Sequence, residues 1–386
     1  MRILQLPSWY IPVGGQFCLH QSLALQAKGV DVQILANILL PWRKYPFSTK
    51  KYPMHLSKDD ADGVITYRYY SRPIPRMEEI NAWIWIKKTL TLFDTYLEKE
   101  QKPDIIHCHS CIYAAYVAAI IKQKYHIPYI VTEHWSAFSG KSALSLKLLH
   151  SKEKWIRKGL SNASHIITVS DEIIPALRQF ITKEVPITTI SNIIDVDFFH
   201  PPMKRTKNNV FTFVAANRFR PEKGYDVLLK AVDLLSEKGV DFKLKIAGDQ
   251  FDHTEFVKLF ASCKAKNKIE FLGLIDAHAI REMLWSADAF VIPSRNESQS
   301  LAVLEALATG VPVISTEVIP KTFVNEETGY RVPIENPEKL CEAMEKMTQN
   351  RCLFDENKLV NRVNDLASAN VVASKIIAVY KSVLSV

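Results

Sequence analysis

Short apolar runs alternate with amphipathic segments along the whole chain, in two similar halves. In the first half the apolar runs read RILQLP, DVQILA, ITYRYY, DIIHCH, YIVTEH and HIITVS, and helical periodicity extends from Gln16 to Lys28. In the second half they read FTFVAAN, FKLKIAG, IEFLG, AFVIP, PVIST and YRVP. Buried strands that alternate with helices are typical of parallel sheets covered on both faces. The pattern therefore predicts an α/β protein with two doubly wound domains.

The boundary between the two halves is marked by the stretch NIIDVDFFHPPMKRTKNN. Residues 192–209 lose helical periodicity and contain adjacent prolines, which is typical of a linker. We predict a first domain over 1–197, a second over 198–364, and a last helix over 365–386 that crosses back onto the first. Ligands of open α/β sheets bind beyond the carboxyl ends of the strands, so we expect the two domains to face each other across a cleft that holds the site.

Composition agrees with a protein of two domains in the cytoplasm. The chain has 386 residues, of which 47% are hydrophobic, so it can form two sizeable cores. Its six cysteines are too few and too scattered for a disulfide framework, and we expect no signal peptide before the first strand. The longest apolar run, 112–121, is shorter than the roughly 20 residues of a membrane span. We expect no transmembrane helix.

The positive charge is concentrated in the first half. The formal charge is +8, and residues 1–200 contain 24 Lys and Arg against 17 Asp and Glu, a net +7. Such an excess attracts acidic lipids, nucleic acid or an anionic substrate. Residues 41–53 mix cations with aromatics, and 141–158 place cations on an amphipathic helix, so we consider a carbohydrate acceptor, peripheral membrane contact or solvated surface. With no recognised nucleic-acid-binding module in the sequence, we expect no nucleic acid.

The second domain opens with a basic loop in the stretch VAANRFRPEKGYDVLLKAV. A strand is followed by Arg218 and Lys223, then by Gly224 at a turn, and then by a helix. Two cations in a strand-to-helix loop suit a diphosphate, because guanidinium can bind phosphate oxygens bidentately and ammonium adds a point charge. An ordinary solvated loop is the alternative.

Two glutamates stand eight positions apart in the stretch PSRNESQSLAVLEALATG. Glu297 lies in a strand-to-helix loop and Glu305 lies on the helix, about 12 Å further along in rise. We expect the first helical turn to offer unpaired amides to an anion. These amides belong to Ser298, Gln299, Ser300 and Leu301. A ligand that contacts both glutamates must be long and polar, as a nucleotide sugar is; two surface glutamates are the alternative.

The ordered set NRFRPEKG, IAGD, IEFLG, WSADAFVIPS and NESQSLAVLEALATGVPVIST resembles the retaining glycosyltransferases of family 4, which have the GT-B fold. The similarity also covers GGQFCLHQSLALQAKGVDVQIL, PDIIHCHS, IPYIVTEH, ASHIITVS and NIIDVDFF. The resemblance implies transfer of a sugar, with retention, from a UDP- or GDP-sugar to a glycan or lipid-linked acceptor. Surface polysaccharide or glycoconjugate biosynthesis is the implied setting.

The resemblance also implies roles for individual residues of the second domain. Arg218 and Lys223 would hold the donor diphosphate, with Glu297 and Glu305 as the paired glutamates of the family. The base would lie near Gly248, Asp249, Leu272 and Gly273. The chain departs from the family at Gln299 and Ser300, where an aromatic-glycine pair is usual, so contacts to the donor sugar are expected to differ.

In the first domain the implied site residues follow the strands. Gly14 and Gly15 would bring backbone close to the donor diphosphate. His134, at the end of IPYIVTEH, would lie near the donor sugar and the acceptor, and Glu133 and His109 would line the cleft. Together with Glu297, Arg218 and Lys223, His134 completes the predicted catalytic set.

No metal and no prosthetic group are expected. The cluster HCHSC has a C-x-x-C spacing, but consecutive strand side chains point to opposite faces and no second ligand pair is evident. Cationic side chains and a helix N-terminus can stabilise a departing diphosphate instead of a divalent ion. Three other functions stay open: a sugar-nucleotide epimerase on the same scaffold, a non-catalytic nucleotide-sugar binder, and a nucleic-acid-binding protein.

Overall fold

The chain divides into two compact units. A computed structural model describes residues 1–45, 48, 50–140, 143–205, 208–249, 254–350 and 353–385. The first unit comprises 1–193 and 369–386, and the second comprises 194–368. The chain thus passes from the first unit to the second after residue 193, four residues before the predicted boundary at 197. The reason is local: Ile194 pairs with Ser368 in an isolated bridge and, with Phe199, packs in the core of the second unit.

The first unit is built on an eight-stranded sheet. Its strands are β1 (Arg2–Pro7), β2 (Asp31–Leu39), β3 (Ser57–Asp59), β4 (Thr66–Ser71), β5 (Ile105–His109), β6 (Tyr129–Glu133), β7 (His165–Thr168) and β8 (Ile187–Thr189). They lie in the order β3-β4-β2-β1-β5-β6-β7-β8, and every pair except β3 with β4 is parallel. All six predicted strands are present. The two additional strands, β3 and β8, are three residues long and largely polar, so they carry no strong apolar signal.

Helices cover this sheet on both faces. They are α1 (Gln16–Ala27), α2 (Glu78–Lys99), α3 (Ala114–Tyr125), α4 (Ala143–Ser151), α5 (Glu153–Ser161) and α6 (Ile174–Arg178). Two separate buried clusters lie in the unit, one including Trp85 and Ile121 and the other including Leu25 and Ile34. Two cores in one unit are the arrangement expected of a doubly wound sheet.

The second unit contains a six-stranded parallel sheet. Its strands are β9 (Phe211–Ala216), β10 (Phe242–Ala247), β11 (Ile269–Gly273), β12 (Ala289–Ile292), β13 (Val313–Thr316) and β14 (Gly329–Val332). Its helices are α7 (Tyr225–Glu237), α8 (Thr254–Ser262), α9 (Ala277–Trp285), α10 (Leu301–Ala308), α11 (Pro337–Gln349) and α12 (Glu356–Ala367). The strand order is β11-β10-β9-β12-β13-β14, and all six were predicted.

Strand order fixes where a ligand can bind in each unit. In the second sheet the chain winds outward in opposite directions from β9 and β12, and in the first sheet from β1 and β5. Ligands of doubly wound sheets bind at such switch points, beyond the carboxyl ends of the strands. The loops that follow β9, β12, β1 and β5 are therefore the places to look for chemistry.

The chain ends by returning to the first unit. Helix α13 (Ala369–Leu384) packs on α1, and its buried residues Val372, Ile376 and Tyr380 share a core with Leu25. The predicted return of the last helix to the N-terminal domain is confirmed. Its predicted start was wrong, because Asp365 still belongs to α12. Ser368 has extended backbone angles, φ −64° and ψ 150°, and separates the two helices.

None of the helices in the described parts of the chain is both long and apolar enough to cross a membrane.

Candidate active site

A buried ion pair joins the loops after β9 and β12 in the second unit. Lys223 Nζ donates to Glu297 Oε1 at 2.7 Å, and the side chains are only 18% and 9% exposed. The same oxygen accepts a hydrogen bond from Ser294 Oγ at 2.9 Å. A carboxylate this far from water needs such partners, since an unpaired buried charge is strongly disfavoured. The two predicted residues lie together at the switch point of the sheet.

Gly224 allows the two loops to approach each other. It has a φ of 68°, and a Cβ added there would lie 2.1 Å from the carbonyl oxygen of Pro293 at the end of β12. Arg295 ties the loops further: its amide donates to the Glu222 carbonyl at 2.8 Å, and its guanidinium binds both carboxylate oxygens of Asp226 at 2.8 and 2.7 Å. Lys223 is therefore held by backbone contacts as well as by Glu297.

Arg218 occupies a different environment from Lys223. Its side chain is 68% exposed, and its Nε lies 4.0 Å from Asp249 Oδ2. Asp249 follows β10, and the Gly248 amide donates to the Gly273 carbonyl at 2.8 Å. This contact brings together the ends of β10 and β11, where Leu272 and Gly273 lie. The predicted base-lining residues are thus neighbours; Gln250, which follows them, lies outside the described residues.

Helix α10 begins at Leu301, so three of the four residues whose amides were assigned to its first turn lie before it. Ser298, Gln299 and Ser300 precede the first turn instead of forming it, and the Ser300 side chain makes no capping hydrogen bond to the helix. The first turn contains no acidic residue. Gln299 and Ser300 are buried while Leu301 is 42% exposed. The helix N-terminus beside Glu297 therefore keeps its partial positive charge.

Glu305 lies one turn into α10 and has an unusual acidity. Burial raises the pKa of its carboxyl to about 7. Desolvation is the cause, because removing water disfavours the charged form of an acid. Near neutral pH the carboxyl therefore exchanges between a form that accepts hydrogen bonds and one that also donates.

In the first unit, Glu133 is a fully buried carboxylate that organises two loops. It accepts hydrogen bonds from the amides of Cys111 at 2.7 Å, His134 at 3.0 Å and Trp135 at 2.8 Å. Burial raises the pKa of Glu133, although these amides oppose the shift. The loops after β5 and β6 are joined through this side chain. Its contacts favour a positioning role over contact with a ligand.

His109 and His134 form part of a stack of neutral imidazoles. His134 stacks on Phe17 with ring centroids 3.7 Å apart, and its Nε2 lies 3.2 Å from His109 Nδ1. His109 Nε2 contacts Gln5 Oε1 at 2.8 Å. Burial lowers the pKa of His134 to about 3 and holds that of His109 well below its ordinary value. The uncharged rings can exchange hydrogen bonds with each other without mutual repulsion.

The remaining members of the HCHSC segment fill structural positions. His107 stacks on His109 at 4.7 Å, and its ring nitrogens lie 2.6 Å from Tyr380 OH and from Thr132 Oγ1. Cys108 points to the opposite face and packs in the core. Within the described ranges, no three His, Cys, Asp or Glu side chains are grouped so as to hold a metal ion.

The glycine pair lies in the loop that follows β1. Gly14 and Gly15 have φ values of 153° and 77°, and Gly15 immediately precedes α1. A Cβ on Gly15 would lie 2.2 Å from the carbonyl oxygen of Trp9, so this tight turn requires glycine. Phe17, two residues later, presents the ring on which His134 stacks, and no sequence motif predicted that contact.

Both halves of the chain match known families. Residues 14–198 match Glycosyltransferase Family 4, and residues 197–365 match Glycosyl transferases group 1. The chain belongs to glycosyltransferase family 4. This glycosyltransferase is 26% identical over 349 residues to a glycogen synthase of Mycobacterium tuberculosis, covering 85% of this chain and 81% of the relative.

A second relative and a solved structure are also similar to this chain over most of its length. The glycosyltransferase is 25% identical over 302 residues to the UDP-Gal:alpha-D-GlcNAc-diphosphoundecaprenol alpha-1,3-galactosyltransferase of Escherichia coli, covering 72% of this chain and 76% of that one. Sucrose-phosphate synthase from Thermosynechococcus elongatus superimposes with a TM-score of 0.81 at 19% identity, and the match covers 100% of both chains. The two Rossmann-like units are those of the GT-B fold, as predicted.

The arrangement gives this glycosyltransferase two chemically different sets of residues. The second unit supplies a cation, a carboxylate and an uncapped helix N-terminus at one switch point, which can hold an anion and stabilise charge. The first unit supplies uncharged hydrogen-bonding rings. The sequence motifs missed Ser294, Arg295 and Gln5, which hold the predicted residues in place. Ser294 and Arg295 follow the end of β12, whereas Gln5 lies within β1, and these positions are the one signal available.

Proposed function

We propose that this glycosyltransferase moves a sugar, with retention of anomeric configuration, from a UDP- or GDP-sugar to a glycan or lipid-linked acceptor. The setting would be polysaccharide or glycoconjugate biosynthesis, as the names of its relatives suggest. Donor binding is assigned to the domain over 198–364 and acceptor binding to 1–197, with 365–386 returning to the latter. The observation that carries the proposal is the buried Lys223–Glu297 pair at the switch point of the second sheet.

The donor diphosphate is proposed to bind at this pair. Lysine has three N–H donors, and one is used by Glu297, so Lys223 can contact a phosphate oxygen while it keeps its carboxylate partner. The Leu301 amide and the N-terminal end of α10 would face the same phosphate, with Ser298, Gln299 and Ser300 just before it. Arg218, being exposed, can swing toward the diphosphate once a donor is present.

The chemical step follows from this distribution of charge. The bond between the anomeric carbon and the leaving phosphate oxygen breaks, while the acceptor hydroxyl attacks the same face of the sugar. The acceptor proton passes to the departing diphosphate, whose negative charge Lys223 and Arg218 stabilise. The Glu297 carboxylate would stabilise positive charge that develops on the sugar ring. These groups together make a metal unnecessary in the proposed reaction.

The other site residues would orient the substrates. Gly248, Asp249, Leu272 and Gly273 would line the base, mostly through backbone groups, and Glu305 would accept hydrogen bonds from the ribose. Gly14 and Gly15 would approach the diphosphate through backbone amides. His134, neutral and stacked on Phe17, would position the sugar by a hydrogen bond, with His109 and Glu133 holding its loop in place.

The location of the reaction is part of the proposal. We place the enzyme in the cytoplasm, in peripheral contact with the inner face of the membrane, because the E. coli relative is named for a lipid-linked acceptor. The excess positive charge of residues 1–200 supports contact with acidic lipid.

The test measures donor binding first and turnover second. UDP, GDP and their sugars are screened for an increase in melting temperature, because a ligand of the native state raises it. Release of nucleoside diphosphate is then followed for the wild type, Lys223→Ala and Glu297→Ala. Lys238→Ala is the matched control, because Lys238 pairs with Glu345 in an ion pair on the surface of the same unit.

The proposal predicts that the site variants fold, with turnover greatly reduced, while Lys238→Ala behaves as wild type. Full activity of either site variant would contradict it. Formation of an epimerised donor without any acceptor would favour an epimerase. Donor binding without nucleoside diphosphate release, across a panel of glycan and polyprenol-linked acceptors, would favour a non-catalytic binder.

A further inference from the structure

Helix α2 has two apolar faces, and only one of them is buried. The inward face contributes Ala82, Trp85 and Ile86 to the core of the first unit. The outward face exposes Ile80 and Ile84, which are 47% and 48% accessible and one turn apart. A helix on the surface of a globular protein ordinarily has a polar outer face. This second apolar face is therefore unexplained by folding.

Exposed apolar residues also occur just before the helix, within the same stretch of the chain, 74–84. Ile74 and Met77 precede α2 with 42% and 47% exposure, and Trp83 is 38% exposed. We call Ile74, Met77, Ile80, Trp83 and Ile84 the α2 ridge. Single exposed apolar residues are normal, but contiguous groups of them mark binding surfaces.

Positive charge surrounds the ridge. Arg76 and Lys87 are exposed at its two ends. The two glutamates nearby are neutralised, since Glu78 lies 3.6 Å from Lys152 and Glu79 pairs with Lys154. The surface thus combines accessible hydrocarbon with net positive charge.

The neighbouring helices continue the same surface chemistry. Lys154 of α5 lies over the rings of Trp83 and Trp155, with its ammonium 5.4 and 4.5 Å from the ring centroids. On α4, which ends just before Lys152, Leu146 and Leu148 are 45% and 37% exposed. The basic segment predicted over 141–158 therefore adjoins the ridge through these ion pairs; its residues 141 and 142 lie outside the described residues.

We propose that the α2 ridge lies in the interface of an anionic lipid bilayer. Apolar side chains would enter the boundary between head groups and acyl chains, Trp83 would lie at the level of the head groups, and the flanking cations would contact lipid phosphates. Long lysine stems can bury hydrocarbon while the ammonium stays in water. The proposal rests on the proposed function for its purpose, which is to bring a lipid-linked acceptor to the enzyme.

The experiment is co-sedimentation of the full chain with vesicles at low salt, without donor. One set contains phosphatidylcholine mixed with phosphatidylglycerol, and the other contains phosphatidylcholine alone. We expect binding to the anionic vesicles that Ile80→Ser/Ile84→Ser lowers by about tenfold or more. Lys87→Ala should lower it by about fivefold.

Matched controls come from α1 and the residue that follows it, in the same unit. Leu23 is 38% exposed and Lys28 is exposed, so Leu23→Ser and Lys28→Ala remove the same chemistry elsewhere and should bind as wild type. Melting temperatures confirm that each variant folds. Absence of wild-type binding to both vesicle types would overturn the inference, and so would unchanged binding of the double isoleucine variant.

Two further outcomes separate this inference from its rivals. Nucleoside diphosphate release from a water-soluble donor is measured on the same proteins. If the wild type releases nucleoside diphosphate but binds no vesicles, the bilayer inference is overturned and glycosyl transfer still stands. If vesicle binding depends on the α2 ridge but no nucleoside diphosphate is released, the bilayer inference is supported and glycosyl transfer is not. The wild type could instead form a dimer, bind no vesicles, and dissociate when both isoleucines are replaced. That result would show that a second copy of the chain covers the α2 ridge, and it would overturn the bilayer inference.

Discussion

Buried acids and bases of the two units respond to desolvation in opposite ways. In the second unit, burial raises the pKa of Glu305 to about 7. In the first, it lowers the pKa of His107 and His134 to about 3. Desolvation disfavours the charged form in both cases, which is the anion for an acid and the cation for a base. Burial therefore leaves the imidazoles of the first unit neutral, while the second unit holds two opposite charges as the Lys223–Glu297 pair.

The largest expected effect is on turnover, from breaking the pair in the second unit. Lys223→Ala and Glu297→Ala should each reduce nucleoside diphosphate release by about 10²–10³-fold, a typical loss for an electrostatic group in an active site. Steady-state kinetics with a donor identified by thermal shift measure this. Equal losses in the single variants and the double variant would indicate that the two residues act as a unit. A loss confined to KM would mean that the pair only binds donor.

The second expected effect is on the free energy of unfolding, from a substitution in the loop next to the Lys223–Glu297 pair. Gly224→Ala should lower the free energy of unfolding by more than Gly239→Ala does, and should also reduce turnover. Both glycines have positive φ, 68° and 74°, so the strain of about 1–2 kcal/mol is shared. Only Gly224 faces an obstacle, the Pro293 carbonyl oxygen; nothing lies within 4 Å of a Cβ on Gly239.

Denaturant unfolding of both variants measures the difference. An equal loss of unfolding free energy in the two variants would show that the loops after β9 and β12 can separate at no energetic cost. The close approach of these loops at Gly224 would then not be what holds Lys223 next to Glu297.

The third expected effect is on the pH dependence of stability in the second unit. The pKa of Glu305 in the folded protein, about 7, lies above its ordinary value of 4.5, so the folded state binds this proton more tightly. Its contribution to stability is full below about pH 4.5 and is lost as the pH rises to about 7. Glu305→Gln should therefore raise the melting temperature relative to wild type above pH 7, by about 2–4 °C for each kcal/mol recovered.

Melting curves at a series of pH values measure this, with the exposed Glu270→Gln as control. A variant whose difference from wild type does not change with pH would contradict the raised pKa of Glu305.

The smallest expected effect is the absence of a histidine titration in the first unit. His107 and His134 have folded pKa values of about 3, below the ordinary 6.5, so the unfolded chain binds protons more readily. Their contribution is full above about pH 6.5 and is lost as the pH falls toward 3, the opposite sense to Glu305. Nitrogen chemical shifts of the imidazoles should stay those of neutral rings from about pH 5 to pH 8.

Replacing Phe17 by Ala would sharpen this comparison, because it removes the ring that stacks on His134 at 3.7 Å. The His134 signal should then move toward an ordinary titration. An imidazole that already titrates near pH 6.5 in the wild type would contradict the buried stack.

The sequence predicted the elements well and the contacts between them poorly. All twelve strands named from apolar runs are present, because each run is bounded by turn residues and its side chains are buried. The break between α12 and α13 was missed, since helical periodicity continues across Ser368 and only its extended backbone interrupts the pattern. The amides of residues 298–300 were wrongly assigned to the first turn of α10, because these residues contain no strong helix breaker.

For the candidate site, too, the sequence predicted the residues but not the contacts between them. Residue types and order identified Lys223 and Glu297, and the order of motifs identified the family. The structure also shows that Glu133 binds three backbone amides and that Arg295 links two loops. These contacts form because segments distant in sequence meet at the ends of strands. No local pattern encodes such meetings.

The sequence by itself determined the α/β class, the two similar halves, the family and the presence of cations and glutamates in strand-to-helix loops. These properties follow from periodicity and from residue order, which are local along the chain. Only the tertiary structure decided which of these side chains are paired, which are neutral, and which apolar face of α2 remains in solvent. The physical reason is that burial and electrostatic environment depend on neighbours distant in sequence, and the packing of the sheets selects those neighbours.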